Sequence, residues 1–299
     1  MAGLGVTNQN GLTPQAAALS VENVQRFLVQ PLTDASIYLS SGVNIIDSAS
    51  PVRIPTAPDP STNLGYVAEG GVIPEVAPQF GKLNLLPSTL ESTKVIAPFS
   101  NELYRQSVVD INNELQSYLV SSVAATVDNN LISGNGDGVT TVKGLLNFPN
   151  TQTLAVGGHL TVDNVYDAIS LALKAFVNEG DLQLWVTPDV LTQLRKLKDA
   201  AGNYLLQANP TARTPYSVAG VPVVVTQRLP TSTGQTPSTT AVLWAPKYTY
   251  VVRDASPTVT FLTEAYAKTD EFAIRVTSRY DTACAKPQSI VQLTGITTS

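Results

Sequence analysis

Few residues in this chain have side chains that could perform chemistry. The one histidine is His159, in a small glycine-containing loop, and the one cysteine is Cys284. A Ser-His-Asp triad would have to use His159, and no Gly-x-Ser-x-Gly nucleophile motif occurs. A Cys-His pair would require the two residues to meet, but residues 282–285 are typical of a buried strand. We therefore predict that His159 is a surface loop residue and that neither residue is catalytic.

A glycine-rich stretch at 134–138 resembles a phosphate-binding or calcium-binding loop. It lacks the lysine and the hydroxyl residue of a P-loop, and it lacks the acidic ligand that ends an EF-hand loop. It also follows a helical pattern instead of opening one, so no helix N-terminus faces an anion there. The stretch predicts a helix end followed by tight turns.

Carboxylates concentrate late in the sequence, at Asp254, Glu264, Asp270, Glu271 and Asp281. On strands they would mostly point to solvent or pair with Arg253, Arg275 and Arg279. Glycosidase chemistry needs two carboxylates that flank a cleft, which spacing along a chain does not show. We predict no enzyme activity, no catalytic residue, no cofactor and no metal site.

The composition is unusually poor in charge. Charged residues make up 14% of the chain, against about 25% in typical soluble domains. This suits a subunit that covers much of its surface with copies of itself; a surface rich in threonine and serine is the alternative. The net charge is −5 without a Lys or Arg run, so specific nucleic-acid binding is not expected. One cysteine favours a reducing compartment, and neither a signal peptide nor a membrane span is visible.

The strongest helical pattern begins near Ser107 and Asp110, which fit a capping box. Its apolar face recurs at helical spacing over about 25 residues, and Gly134 ends it. The expected face consists of Ile111, Leu115, Tyr118, Leu119, Val123, Val127 and Leu131.

Shorter patterns fill the rest of the chain. One helix is expected at 162–178, with Thr161 as its N-cap and Gly180 as its stop. Leu173 and Phe176 are expected on the apolar face of this helix. Another helix is expected to start at Pro188. Strands are expected at 43–56, Leu182–Val186, Val221–Thr226, Ala241–Val252, Thr258–Thr263 and Phe272–Tyr280. Because helices and strands mix without regular alternation, the fold class is α+β.

Residues 57–93 stand apart, with many prolines and glycines and no helical pattern. Structureless loops of this length are rare in compact domains, and an isolated two-stranded hairpin is marginal in water. We expect this segment to find its packing partners on another chain.

Several segments resemble the major capsid proteins of tailed bacteriophages with the Hong Kong 97-type (HK-97-like) fold. Residues 62–71 (TNLGYVAEGG), 73–75 and 80–81 are similar to the extended loop of that family, and residues 100–103 to the start of its spine helix. Further similarity lies at 128–138, 143–146, 185–188, 197–199, 202–205, 219–223, 279–281 and 286–287. The resemblance covers about residues 40–295 and rests on the order and spacing of these segments.

The resemblance implies an HK-97-like phage capsid fold in four parts. These are an N-terminal arm at 1–39, a peripheral domain at 40–60, 94–150 and 256–291, an extended loop at 61–93, and an axial domain at 151–255 and 292–299. The spine helix of the peripheral domain would bury Ile111, Leu115, Leu119, Val123 and Val127. The loop would contact a neighbouring subunit through Asn63, Leu64, Tyr66, Val67, Phe80 and Lys82.

The resemblance also implies a function. The chain is expected to be a major capsid protein that self-assembles, as hexamers and pentamers, into the icosahedral head shell around double-stranded DNA. It would assemble in the bacterial host cytoplasm and reside in the virion, with non-specific DNA contact and no membrane partner. A separate scaffolding protein, a portal and a decoration protein stay open as partners. The alternative with the same fold is an encapsulin-type nanocompartment protein around a protein cargo; an enzyme is the third class.

Two features depart from some relatives. Only a few dozen residues precede the matched region, so we expect no built-in scaffolding segment and no cleavage of the N-terminus. Some relatives also cross-link a loop lysine to an asparagine of a neighbouring subunit. Lys82 could serve as the lysine and Glu264 or Glu271 as the base, but no asparagine follows Asn209. We therefore expect a shell without such cross-links.

Overall fold

The structure is a computed structural model. It describes residues 36–56, 80–100, 111–198, 216–232, 237–254, 258–262 and 266–298. It also describes residues 67, 69–72, 204 and 264. The α-helices of this part are α1 (Ile37–Ser40), α2 (Ile111–Ser133), α3 (Val162–Lys174) and α4 (Pro188–Lys196). The first strands are β1 (Asn44–Asp47), β2 (Val52–Thr56), β3 (Gly81–Leu85), β4 (Thr93–Ser100) and β5 (Gln152–Ala155). Then come β6 (Gln183–Val186), β7 (Ser217–Val218), β8 (Val221–Val225), β9 (Thr231–Ser232) and β10 (Ser238–Trp244). The last are β11 (Thr249–Arg253), β12 (Thr258–Leu262), β13 (Glu271–Ser278), β14 (Tyr280–Cys284) and β15 (Val291–Thr297).

The largest sheet has the order β5–β15–β10–β6–β8–β7, with β9 beside β10. The crossover between the parallel strands β6 and β8 contains α4. Helices α3 and α4 cover one face of the sheet through buried aliphatic side chains. These include Val165, Ile169, Val190 and Leu194 from the helices, and Leu184 and Leu243 from the sheet.

The other face of this sheet packs against α2. Trp185, Val242 and Trp244 share a core with Val123 and Val127 of the long helix. Strands β6 and β10 are therefore apolar on both faces, which explains the continuous apolar runs that they form in the sequence.

Two smaller sheets complete the part around α2. In the first, β11 runs parallel to β1 and antiparallel to β14. In the second, β13 lies between β12 and β4 in an antiparallel arrangement. Strands β2 and β3 form a separate two-stranded hairpin that pairs Thr56 with Gly81. In the described part of the chain, none of the helices combines the length and the hydrophobicity that a membrane-spanning helix needs.

The predicted end of α2 at Gly134 is confirmed. The Gly134 N–H donates to the Asn130 carbonyl at 3.0 Å. A Cβ at this position would lie 2.3 Å from the same oxygen and 2.9 Å from the carbonyl oxygen of Val142, so only glycine fits. The predicted turns follow, because the Asp137 carboxylate accepts three backbone N–H groups, from Val139, Thr140 and Thr141. These donors lower the pKa of Asp137.

Two of the predicted strands are each divided. The strand expected at 43–56 is split into β1 and β2, which lie in different sheets. The break lies at Ser48, whose hydroxyl donates to the Ser50 carbonyl and accepts the Ser50 N–H. These hydrogen bonds form a turn just before Pro51. The strand expected at Ala241–Val252 is split by a 3₁₀ turn at Pro246–Tyr248, so β10 and β11 also enter different sheets.

The second helix ends earlier than predicted. Thr161 does form a capping box with Asn164, but α3 ends at Lys174, well before Gly180. Leu173 and Phe176, expected on the apolar face, are exposed. On α2, Tyr118 is likewise exposed where a core position was expected, and Val120 is buried.

The prediction for the last strand is wrong at its C-terminal end. β13 ends at Ser278, and Tyr280–Cys284 forms β14 in another sheet. Asp281, expected on the solvent side of a single continuous strand, is buried instead. The alternation fails because the chain changes sheets at Arg279, so the period of β13 does not continue into β14.

Candidate assembly surface

The base of the predicted extended loop is the β2–β3 hairpin. Leu85 at its inner end is buried with Leu86, Leu90 and Val252. At its outer end Phe80 is 69% exposed, and Lys82 is exposed on β3. Of the other predicted contact residues of the loop, Val67 is exposed, while Asn63, Leu64 and Tyr66 lie outside the described residues.

Two side chains tie the returning strand of the hairpin to the domain behind it. The Asp281 carboxylate accepts the Leu86 N–H at 2.8 Å and the Thr282 N–H at 2.9 Å. Arg279 donates through Nη2 to the Pro87 carbonyl at 2.9 Å. Burial raises the pKa of Asp281, although both N–H donors oppose this shift.

Further bonds connect the segment after the hairpin to the turn that follows α2. The Thr89 hydroxyl donates to the Val139 carbonyl at 2.8 Å, and the Glu91 N–H donates to the Thr140 carbonyl at 2.8 Å. The expectation that the whole segment 57–93 packs on another chain is therefore wrong for Leu85 to Glu91, which their own subunit holds, whereas Val67, Val72 and Phe80 are exposed.

Helix α1 is held in place by a carboxylate from α2. Asp128 accepts hydrogen bonds from the Ser36 hydroxyl, from the Ile37 N–H at 3.1 Å and from the Tyr38 N–H at 3.2 Å. The Asp128 residue is 3% exposed. Burial, the largest influence, raises the pKa of this carboxyl, against the opposing effect of the donors and of Arg228.

Tyr38 lies at the junction between α2, the large sheet and β14. Its ring stacks on Trp244 with centroids 5.5 Å apart and meets the edge of Trp185 at 6.0 Å. Its hydroxyl lies 3.0 Å from the Thr282 hydroxyl. Gln183 on the large sheet donates to the Ser41 carbonyl at 2.9 Å. Residues 36–41 therefore bond to all three surrounding elements.

A bidentate ion pair joins β1 to β11. Arg253 donates to Asp47 through Nε at 2.6 Å and through Nη2 at 2.8 Å. The hydrogen bonds and charge of Arg253 lower the pKa of Asp47. The pair fixes the register of the parallel strands, because Asp47 and Arg253 are direct partners in that ladder.

The two residues with catalytic potential, His159 and Cys284, lie in different environments. His159 is exposed, as predicted. Cys284 is buried on β14, with Sγ 4.0 Å from the Ser289 hydroxyl. Burial raises the pKa of the Cys284 thiol, which makes it a poor nucleophile. Within the described residues no three His, Cys, Asp or Glu side chains group in a way that could hold a metal ion.

Of the predicted spine-helix core residues, Val123 and Val127 are buried, while the side chains of Ile111, Leu115 and Leu119 lie outside the described part. Sequence reasoning missed Asp128, Tyr38 and Asp281. A carboxylate directly after the apolar position Val127 was a usable signal, because it lies beside the buried face of a helix. Nothing in the local sequence marks the burial of Tyr38 or Asp281, which depends on distant elements.

Comparisons with known proteins agree with this architecture. The model of the phage capsid family matches residues 26–295. The capsid of a native GTA particle has a TM-score of 0.66 at 17% identity, over 87% of this chain and 89% of that chain. A chain of Mycobacterium phage Adephagia has a TM-score of 0.66 at 16% identity, with coverages of 87% and 89%. A chain of Microbacterium phage Oxtober96 has a TM-score of 0.64 at 18% identity, with coverages of 87% and 90%. No curated protein matches significantly.

The shared α+β fold and the family match over most of the chain define a structural protein of a viral shell. The chain belongs to the phage capsid family, and it is a major capsid shell protein with the HK-97-like fold. The predicted fold class and function are confirmed, and none of these matches favours the encapsulin alternative.

Proposed function

We propose that this capsid protein forms hexamers and pentamers that close into an icosahedral shell around double-stranded DNA, with the outer part of the 61–93 loop, including Val67, Val72 and Phe80, laid across a neighbouring subunit. The observation that carries the proposal is that the base of the loop is bonded to its own subunit while apolar side chains further along the loop are exposed. Its base is held by Asp281 and Arg279, while Phe80 and Val72 are 69% and 93% exposed. Apolar residues that a subunit leaves uncovered become buried when closed symmetry repeats the contact on every copy.

We propose the four-part division given above, with one change that the strand pairing suggests. Strand β11 belongs to the segment 151–255 assigned to the axial domain, but its partners β1 and β14 both lie in peripheral segments. Residues 249–253 therefore belong with the peripheral domain. The peripheral domain then contains α2 and the two three-stranded sheets, and the axial domain contains the large sheet with α3 and α4.

The proposed setting is the virion, after assembly in the bacterial cytoplasm. A single buried cysteine suits a reducing compartment. With a net charge of −5, contact with packaged DNA would be non-specific and weak. Scaffolding, portal and decoration proteins are the expected classes of partner for such a shell.

Electron microscopy of the purified protein tests this proposal, combined with nuclease treatment and analysis of the shell contents. Closed shells with both five-fold and six-fold capsomers, and nucleic acid in particles from infected cells, are expected. A monomer that forms no shell at high concentration would refute self-assembly. Shells that contain one packaged enzyme and no nucleic acid would point to a nanocompartment instead.

A further inference from the structure

One flank of α3 leaves apolar side chains uncovered. Tyr166 and Leu173 are seven residues apart, so they lie on the same side of the helix, and both are exposed. Phe176 lies two residues after the last residue of the helix and is 62% exposed. The buried face of α3, about a quarter turn around the helix, is packed on the large sheet through Val165 and Ile169. The exposed residues are therefore additional to those that hold the helix in place.

Phe176 also has an unfavourable backbone conformation. Its φ is +55°, in the left-handed region, and its N–H donates to the Leu173 carbonyl at 3.0 Å. This position just beyond a helix normally contains glycine or asparagine, because a Cβ is disfavoured there. The turn lets the next residue, Val177, return to the core. That explains the backbone conformation, but it does not explain why a large aromatic residue occupies the position.

We propose that Tyr166, Leu173 and Phe176 form a contact surface for a second copy of this chain within a capsomer. This inference rests on the proposed assembly into capsomers. Strained residues are retained where a function requires them, and exposed aromatic anchors are typical of protein interfaces. Here the exposed aromatic ring and the disfavoured backbone occur at one residue.

The charges beside this surface favour a copy of the same chain as the partner. Asp163 and Asp167 are exposed in the first half of α3 beside Tyr166, and Lys174 is exposed at its end, whereas Arg195, Lys196 and Lys198 are exposed at the end of α4. Contacts around a ring join two different surfaces of identical subunits. Asp163 and Asp167 in one copy would therefore face the basic end of α4 in the next, which gives this part of the contact charge complementarity.

The central test compares Phe176→Asn with Phe176→Tyr in the full chain. Asparagine tolerates the left-handed backbone but removes the apolar ring, whereas tyrosine keeps the ring. We expect the unassembled F176N subunit to unfold at or above the wild-type temperature. We also expect its shells to need about tenfold more protein, which corresponds to about 1.4 kcal/mol per contact. F176Y should assemble at the wild-type concentration.

Tyr118→Gln, at an exposed aromatic residue of α2, is the control for loss of an exposed ring elsewhere, and its assembly should be unchanged. Assembly of F176N at the wild-type concentration would overturn the proposal. A lower unfolding temperature of F176N would also overturn it, because Phe176 would then stabilise the subunit itself. Failure of the wild-type chain to form any shell would instead refute the proposed function.

A charge exchange tests the choice of partner. Asp163→Lys with Asp167→Lys should reduce assembly, and adding Arg195→Glu with Lys196→Glu in the same chain should restore it. Absence of restoration would show that the neighbour presents a surface other than the end of α4. A photo-cross-linking residue can be placed at position 166 or 173. Its capture of a different protein in purified shells would contradict a second copy of this chain as the partner.

Discussion

The rings of Tyr38 and Trp244 lie nearly parallel, at an angle of 16° and a centroid distance of 5.5 Å. Trp185 meets Trp244 edge-on at 5.1 Å. The chain has two tryptophans, and both belong to this cluster. Intrinsic tryptophan fluorescence therefore reports on the junction between α1, the large sheet and the core around α2.

Replacement of Tyr38 should destabilise this junction. Tyr38→Ala removes a fully buried ring and should cost roughly 3–5 kcal/mol of unfolding free energy, by analogy with buried Phe. Tyr38→Phe loses the hydroxyl contact with Thr282 but keeps the ring, so a loss of about 1 kcal/mol is expected. Urea unfolding followed by tryptophan fluorescence measures both. Equal stability of Y38A and Y38F would show that the stacked ring contributes nothing.

Asp128 should make stability depend on pH in a defined direction. Burial raises the pKa of Asp128 in the folded chain, so the folded state retains a proton that the unfolded state has already lost. Between the ordinary pKa of aspartate and the raised value, stability should therefore increase as the pH falls. Asp128→Asn should flatten this part of the profile. Urea unfolding of both proteins at a series of pH values measures the difference, and an unchanged slope in D128N would contradict the prediction.

The far part of the extended loop should be dispensable for folding. Thr56 pairs with Gly81, so an Asn-Gly turn can replace residues 57–80 and close the hairpin. Leu85 and Leu86 must stay, because both are buried. The shortened chain should fold with wild-type fluorescence but fail to form stable shells. Unfolding of the shortened subunit would place the loop in the subunit's own core.

A charge on the buried face of α2 should prevent folding. Val123 is 1% exposed, and an unpaired buried carboxylate costs several kcal/mol. Val123→Asp should therefore give insoluble protein, whereas Val139→Asp, at an exposed site, should give soluble shells. The soluble fraction after expression measures both. Wild-type yield from V123D would contradict the packing of α2.

Mature shells should contain no covalent links between subunits. Lys82 is exposed on β3, but no asparagine follows Asn209 to act as acceptor on the late strands. Isopeptide formation needs reacting groups held at contact distance, so a missing acceptor prevents it. A denaturing gel of boiled particles should give one band near 31.7 kDa. A ladder of multimers would contradict this prediction.

Features that depend only on neighbouring residues could be predicted correctly from the amino-acid sequence. Gly134 ends α2 and Thr161 starts α3 because caps act within one helical turn. The α+β class also followed from local pattern, because helical and strand periodicities can be read segment by segment. The resemblance to phage capsid proteins, confirmed by the family match, added the function.

Which helices and strands pack together depends on long-range contacts that exist only in the folded chain. Periodicity shows that a segment is a strand, but it does not name the partner strand, so the divisions between β1 and β2 and between β10 and β11 were missed. Burial of Asp128 and Asp281 depends on donors far along the chain, at Ser36 and Leu86. These contacts form only when the whole chain folds, because long-range packing supplies partners that local spacing does not contain.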